Sequence, residues 1–107
     1  MRVSNDEIAR LHANVCKGLG DAKRLMILNS LREGPRSVSD ISAELGLRPA
    51  NASQHLAILR DKGLVTSRKD GQWVYYEPSS RKIIDAMDLL REVMAEQFGA
   101  LNQTRGE

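Results

Sequence analysis

The chain has 107 residues, 41% hydrophobic and 28% charged, with a formal net charge of +2. That composition fits one small globular domain and excludes a disordered tail; a bilayer span is excluded too, because no apolar run approaches the ~18–20 residues it needs. The single cysteine rules out an intrachain disulfide, and Asp6 and Glu7 close behind Arg2 are unlike a secretory signal, so a cytoplasmic setting is predicted.

In chain order, Ser4 and Glu7 form a capping box that opens a first helix, with Ile8, Leu11, Val15 and Leu19 at helical spacing. Gly18 and Gly20 interrupt the chain before Asp21 caps a second helix, which carries Leu25, Ile27, Leu28 and Leu31 and ends near Gly34 and Pro35. Ser37 and Asp40 form another capping box, starting a short helix with Val38, Ile41 and Leu45 inward and Gly46 as its left-handed cap. Leu47 and Arg48 make a turn, and Pro49 takes the first position of the next helix, where proline is tolerated best. That helix stops at Gly63.

Two β-favouring runs, residues 64–69 and 72–77, flank Asp70 and Gly71, a strong hairpin signal. Trp73 and Tyr75 then share one face of the second strand and Tyr76 the other; core packing under the hairpin is expected for these rings, with base stacking as the alternative. Pro78, Ser79 and Ser80 break the strand and cap a last helix over about residues 81–98. Its stripe is Ile83, Ile84, Met87, Leu90, Met94 and Phe98, broadened by Leu89 and Val93. The expected fold is mainly α: a winged helix-turn-helix of about five helices and a two-stranded β-hairpin wing. It forms one domain with its core at about residues 8–98 and a frayed tail over 99–107.

Charge is distributed unevenly. From Arg48 to Lys82 there are seven basic residues (Arg48, Arg60, Lys62, Arg68, Lys69, Arg81, Lys82) against three acidic ones (Asp61, Asp70, Glu77). A locally basic helix-turn-helix and wing point to duplex DNA. Asn51, Ser53 and Gln54 lie near a helix N-terminus, where side chains meet base edges in the major groove. Arg48, Arg68, Lys69 and Gln72 are placed for phosphate or the minor groove. His55, flanked by apolar positions, is expected to be partly buried, with a structural or phosphate-contacting role. The first and last helices are more apolar than a small monomer needs. A homodimer paired through them would read two half-sites about one helical turn apart.

Residues 19–28, Leu-Gly-Asp-Ala-Lys-Arg-Leu-Met-Ile-Leu, resemble the Leu-Gly-Asp-Pro-Thr-Arg-Leu-Arg-Ile-Leu opening of ArsR/SmtB-type bacterial repressors. Residues 51–60 with Gly63, Leu64 and Val65 resemble that family's recognition helix and its exit, and residues 70–76 its wing. The resemblance spans about residues 8–98. It implies a winged-helix dimer that sits on an operator and leaves when a small inducer, often a metal ion, binds.

The family's usual sensing residues are missing. Where many members carry Cys-Val-Cys-Asp, this chain has Ser37, Val38, Ser39 and Asp40, and hydroxyls are poor ligands for soft metals. No histidine lies between Ser79 and Phe98; Asp85, Asp88, Glu92 and Glu96 read as a solvated face shared with Lys82 and Arg91. No metal or other cofactor is expected.

Cys16, with His12 four residues earlier on the same face, leaves three readings open. It is a small buried hydrophobe, a thiol that responds to oxidants or electrophiles, or half of a zinc site shared between two subunits. Three functions follow: an inducible repressor, a Cys16-dependent sensor with the same DNA chemistry, and a protein-interaction module indifferent to DNA sequence. An enzyme is not expected, since no triad or Gly-rich phosphate loop is present.

Overall fold

The computed structural model describes residues 2–104, with side chains through residue 98. Helix α1 begins at Asn5–Leu11, where Ser4 Oγ accepts the Glu7 amide at 3.1 Å. It continues as a π-helical turn, His12–Cys16, and ends in an α-helical turn, Lys17–Leu19. The even apolar spacing of the sequence predicts one regular helix. Instead the Lys17 amide reaches the His12 carbonyl, five residues back, and the stripe changes phase. Gly18 lies inside the helix and is buried, and the chain turns at Gly20.

Helix α2 (Ala22–Ser30) is capped by Asp21, whose carboxylate accepts the Lys23 and Arg24 amides at 2.8 and 3.3 Å. Helix α3 (Val38–Leu45) starts at the complete Ser37–Asp40 capping box and ends at Gly46, φ 67°. Helix α4 (Pro49–Asp61) has proline in its first turn, as expected. Strands β2 (Val65–Asp70) and β3 (Trp73–Pro78) form the hairpin.

Two details of the sheet differ from expectation. A two-residue strand, β1 (Arg36–Ser37), pairs antiparallel with β3, so the order is β1-β3-β2 and the sheet has three strands. So short a strand leaves no period to read. The hairpin register also pairs Asp70 with Trp73, which makes Gly71 and Gln72 the loop. Positive φ falls only on Gly71 (65°), the first loop residue, as a type II′ turn requires.

Ile27 and Leu28 of α2, Ile41 of α3, Ala52, Leu56 and Leu59 of α4, and Leu64 and Val65 form the buried core. Each fully buried aliphatic side chain contributes roughly 1.5–3 kcal/mol. Val15 and Leu19 from the inner half of α1, Tyr76 of β3, and Ile83 and Met87 of the last helix close over it.

That helix, α5 (Arg81–Thr104), runs six residues past the expected end at 98, so residues 99–104 of the expected frayed tail are helical; 105–107 lie outside the described residues. Among the described residues, the hydrogen bonds that tie it to the domain lie in its first two turns. Arg81 donates to the Arg32 carbonyl (2.8 Å), and Arg32 grips Asp88 with two 2.8 Å bonds. Farther along, Leu89, Leu90, Val93, Met94 and Phe98 are exposed, as are Ile8 and Leu11 on α1.

Candidate nucleic-acid interface

Helix α4 buries Ala52, Leu56 and Leu59 and turns its opposite side to solvent. At 3.6 residues per turn, Ala50, Ser53, Gln54 and Ala57 form one outward stripe, while Asn51 flanks it with Ile58. Asn51, Ser53 and Gln54 are all exposed, and so is Arg48, the residue just before Pro49. The buried stripe fixes this orientation, because rotating the helix to hide Gln54 would expose Leu56. The outward face can offer amide and hydroxyl groups to base edges.

His55 lies on the shoulder of the helix and is half buried. Its Nδ1 is buried without a hydrogen-bond partner. Asp21 is near enough to feel its charge. Burial opposes ionisation of Asp21, yet the Lys23 and Arg24 amides, with His55 and Arg24 nearby, outweigh it and hold the carboxyl below its usual range. His55 is thus less available to an outside partner than Asn51, Ser53 or Gln54.

The wing's two faces differ in kind. Strand alternation and the register put Val65, Ser67, Val74 and Tyr76 on the core face, and Thr66, Arg68, Asp70, Trp73, Tyr75 and Glu77 on the other, where Tyr75 is half-buried beside Ser37 and the rest are exposed. Arg68, Lys69 and Gln72 are exposed around the turn. The core packing expected of the aromatic residues holds for Tyr76 and fails for Trp73, which is 47% exposed. The sequence already carried the signal, since the residues sharing Trp73's face on β2 are Thr66, Arg68 and Asp70, all polar.

Sequence reasoning also missed what holds wing and helix together. Arg60, in the last turn of α4, donates to Ser67 Oγ on β2 at 3.2 Å. Lys62, just past α4, donates to the Ala13 carbonyl of α1 at 3.3 Å. Arg24 in turn closes the end of α1, donating to the Gly18 carbonyl at 2.7 Å and the Lys17 carbonyl at 3.2 Å. These contacts join residues from different elements and leave no periodic trace in the sequence.

The candidate sensing residues stand apart from this surface. His12 and Cys16 both sit in the π-helical turn of α1, exposed, so in the single chain Cys16 is not the buried hydrophobe that one reading expected. Among the described residues, no group of three or more His, Cys, Asp or Glu is arranged to hold a metal ion. No helix among them is long and apolar enough to cross a membrane.

Comparison with known proteins agrees with this geometry. The sequence model for "Bacterial regulatory protein, arsR family" matches residues 21–67. The nodulation protein NolR of Rhizobium meliloti is 31% identical over 97 residues, covering 91% of this chain and 80% of NolR. The transcriptional activator HlyU of Vibrio cholerae is 38% identical over 80 residues, covering 75% of this chain and 74% of HlyU. Among solved structures, the homodimeric winged helix-turn-helix DNA-binding domain Mb0332 of Mycobacterium bovis superposes with a TM-score of 0.78 at 32% identity, over 90% of this chain and 91% of that one. With the fold, the outward polar helix and these relatives in agreement, the chain belongs to the arsR family of bacterial regulatory proteins and is a winged-helix, DNA-binding transcriptional regulator.

Proposed function

We propose that the chain is a homodimeric repressor that occupies a specific operator and is released by a small inducer. The observation that carries this reading is the outward Asn51, Ser53 and Gln54 face of α4, joined through Arg60 and Ser67 to a wing bearing Arg68, Lys69 and Gln72. Asn51 and Gln54 match adenine edges, Ser53 is permissive, and Arg48, Arg68 and Lys69 hold phosphates. His55 acts from behind this face, steadying the helix or reaching a phosphate. Such a protein works where the chromosome is, in the cytoplasm.

Dimerisation rests on the unpartnered apolar surface. Ile8 and Leu11 on α1 and Leu89, Leu90, Val93, Met94 and Phe98 on α5 are about half exposed or more. The radius of gyration, 16.2 Å, also exceeds the ~13 Å of a compact domain this size, because these helices project. Pairing copies through α1 and α5 buries that surface and sets two reading heads on one duplex. Mb0332, described as homodimeric, shares the winged-helix fold with a TM-score of 0.78. Occupancy of a promoter suffices for repression; the relative HlyU is named a transcriptional activator, the opposite sign. For near-complete release, an inducer must favour the non-binding state by about 5.5 kcal/mol.

The test is binding of the purified protein to DNA upstream of its own gene, against scrambled DNA, at ~150 mM salt. A preference of about 10³-fold or more supports an operator-reading regulator. Equal, weak, salt-sensitive binding to both would favour a protein-interaction module instead. Repeating the titration with oxidant, reductant and zinc, beside Cys16→Ser, separates the Cys16-dependent reading: a response lost in the variant would make the thiol the sensor.

A further inference from the structure

The wing tip carries an apolar ring that the described residues leave about half exposed. Trp73 opens β3 immediately after the loop and opposite Asp70, on the solvent side of the sheet with Arg68 and Tyr75. It is 47% exposed, although indole is among the side chains that gain most from burial. Residues 68–73 include Arg68, Lys69 and Asp70, so the tip is net cationic. Its location is also fixed: β2 is bonded to β3 along its length, and Arg60 ties β2 to the reading helix. An aromatic ring held beside cations, on a hairpin tied to the reading helix through Arg60, is suited to a nucleic acid wall.

We infer that Trp73 is a DNA-contacting residue whose indole packs against deoxyribose and base edges where the wing meets the minor groove. This deepens the operator-binding reading and rests on it. Asp70 favours this mode over phosphate pairing at the same spot. Its carboxylate would be repelled by a phosphate directly opposite, whereas an indole beside it needs only apolar surface. The cations at Arg68 and Lys69 supply attraction that is independent of sequence, and the ring supplies shape-dependent contact between them. A protein partner for Trp73 would have to approach this same cationic tip and would compete with DNA.

Trp73 is the single tryptophan of the chain, so its fluorescence reports on this residue alone. The full chain is titrated with a fluorescein-labelled duplex of about 30 base pairs, long enough for two half-sites and selected by the protein from a random library. Binding is followed by anisotropy of the label and by Trp73 emission and acrylamide quenching. The expected result is that emission falls and shifts to the blue, and quenching by acrylamide drops, in step with the anisotropy. Trp73→Ala should weaken binding about tenfold and Trp73→Phe should restore it to within about threefold. Neither should change the slope of affinity against salt, since no charge is lost.

Circular dichroism of both variants checks the fold, and the wild-type fluorescence stands whatever those variants do. Trp73 emission that stays constant while anisotropy rises overturns the contact and leaves operator binding intact. Anisotropy that never rises overturns both.

Discussion

Arg32 and Asp88 meet as a fork on a fork, with two 2.8 Å bonds joining residues 56 positions apart in the sequence. Arg32 lies just beyond the end of α2 and Asp88 in the second turn of α5, so this pair fixes where the projecting helix leaves the domain. The Arg32 bonds, working against partial burial and helped by Arg91 at 3.0 Å, hold the Asp88 carboxyl at about 2.

The sign of its pH dependence follows. Because the folded value lies below the unfolded one, 3.8, the pair stabilises the fold fully above that value. Its contribution is lost as pH falls from about 4 toward 2. Carboxyl-carbon NMR should show Asp88 titrating near 2 in the native chain and within the ordinary aspartate range in Arg32→Ala. Thermal melts should show Asp88→Asn below wild type at pH 7, the gap narrowing as acid protonates the native residue. An ordinary titration for Asp88 in both proteins would mean that the bidentate pair does not persist in solution.

Two glycines on either side of Leu19 should behave oppositely. A Cβ on Gly18 would stand 2.5 Å from Leu64 Cδ1 and 3.3 Å from Lys62 Cβ, and Leu64 is only 2% exposed. Gly18→Ala should therefore cost about 1–3 kcal/mol through overpacking. At Gly20 the nearest atoms are carbonyls at 3.4 and 3.5 Å and φ is −78°. Gly20→Ala should be neutral or stabilise by up to about 1 kcal/mol, by restricting the unfolded chain. Urea unfolding of both variants decides it; equal midpoints would remove the case for close packing at α1.

Two serines in and before α3 offer a similar contrast. Ser37 Oγ accepts the Asp40 amide at 3.2 Å and the Asp40 carboxylate accepts the Ser37 amide at 3.3 Å. Ser37→Ala should cost about 0.5–2 kcal/mol. Ser42 Oγ is buried with no partner, so Ser42→Ala should leave stability unchanged or raise it by about 1 kcal/mol. If Ser42→Ala proves as damaging as Ser37→Ala, its hydroxyl has a partner that this geometry does not show.

The Arg60–Ser67 bond should matter more to DNA than to folding. Arg60 is exposed and Ser67 half-buried at the edge of the wing, where one neutral-acceptor bond adds about 1 kcal/mol or less to stability. Ser67→Ala should shift the melting temperature by only a few degrees. Operator affinity should fall several-fold as the wing loses its fixed angle to α4. Scrambled-DNA affinity should change little, because Ser67→Ala removes no charge. Equal losses on both DNAs would reduce the bond to a general surface contact.

How far the sequence could be read depended on the range of the interaction. Local chemistry was legible: Ser37 with Asp40, Gly46, and Pro49 each act within four residues, and each placed a helix end correctly. Asn51, Ser53 and Gln54 were found because burial of Leu56 and Leu59 dictates which side of α4 faces out. Illegible were β1, which is too short to have a period, and the π turn, which breaks the period that was being read. The partners Arg32 and Asp88, and Arg60 and Ser67, meet only through the fold. Trp73 was misjudged because ring size was weighted above the polar company on its strand face.

The π turn at His12–Cys16 has a consequence for how this first helix tolerates change. One surplus residue per turn advances the helix by about 100°, so Ile8 and Leu11 point along a different bearing from Val15 and Leu19, which are seated on the core. Removing a single residue between 12 and 16 would restore an unbroken spiral and swing the outer arm by about a quarter turn while its root stayed in place. A length change that a surface loop would absorb unnoticed would here re-aim an entire arm, and with it the exposed apolar surface of Ile8 and Leu11.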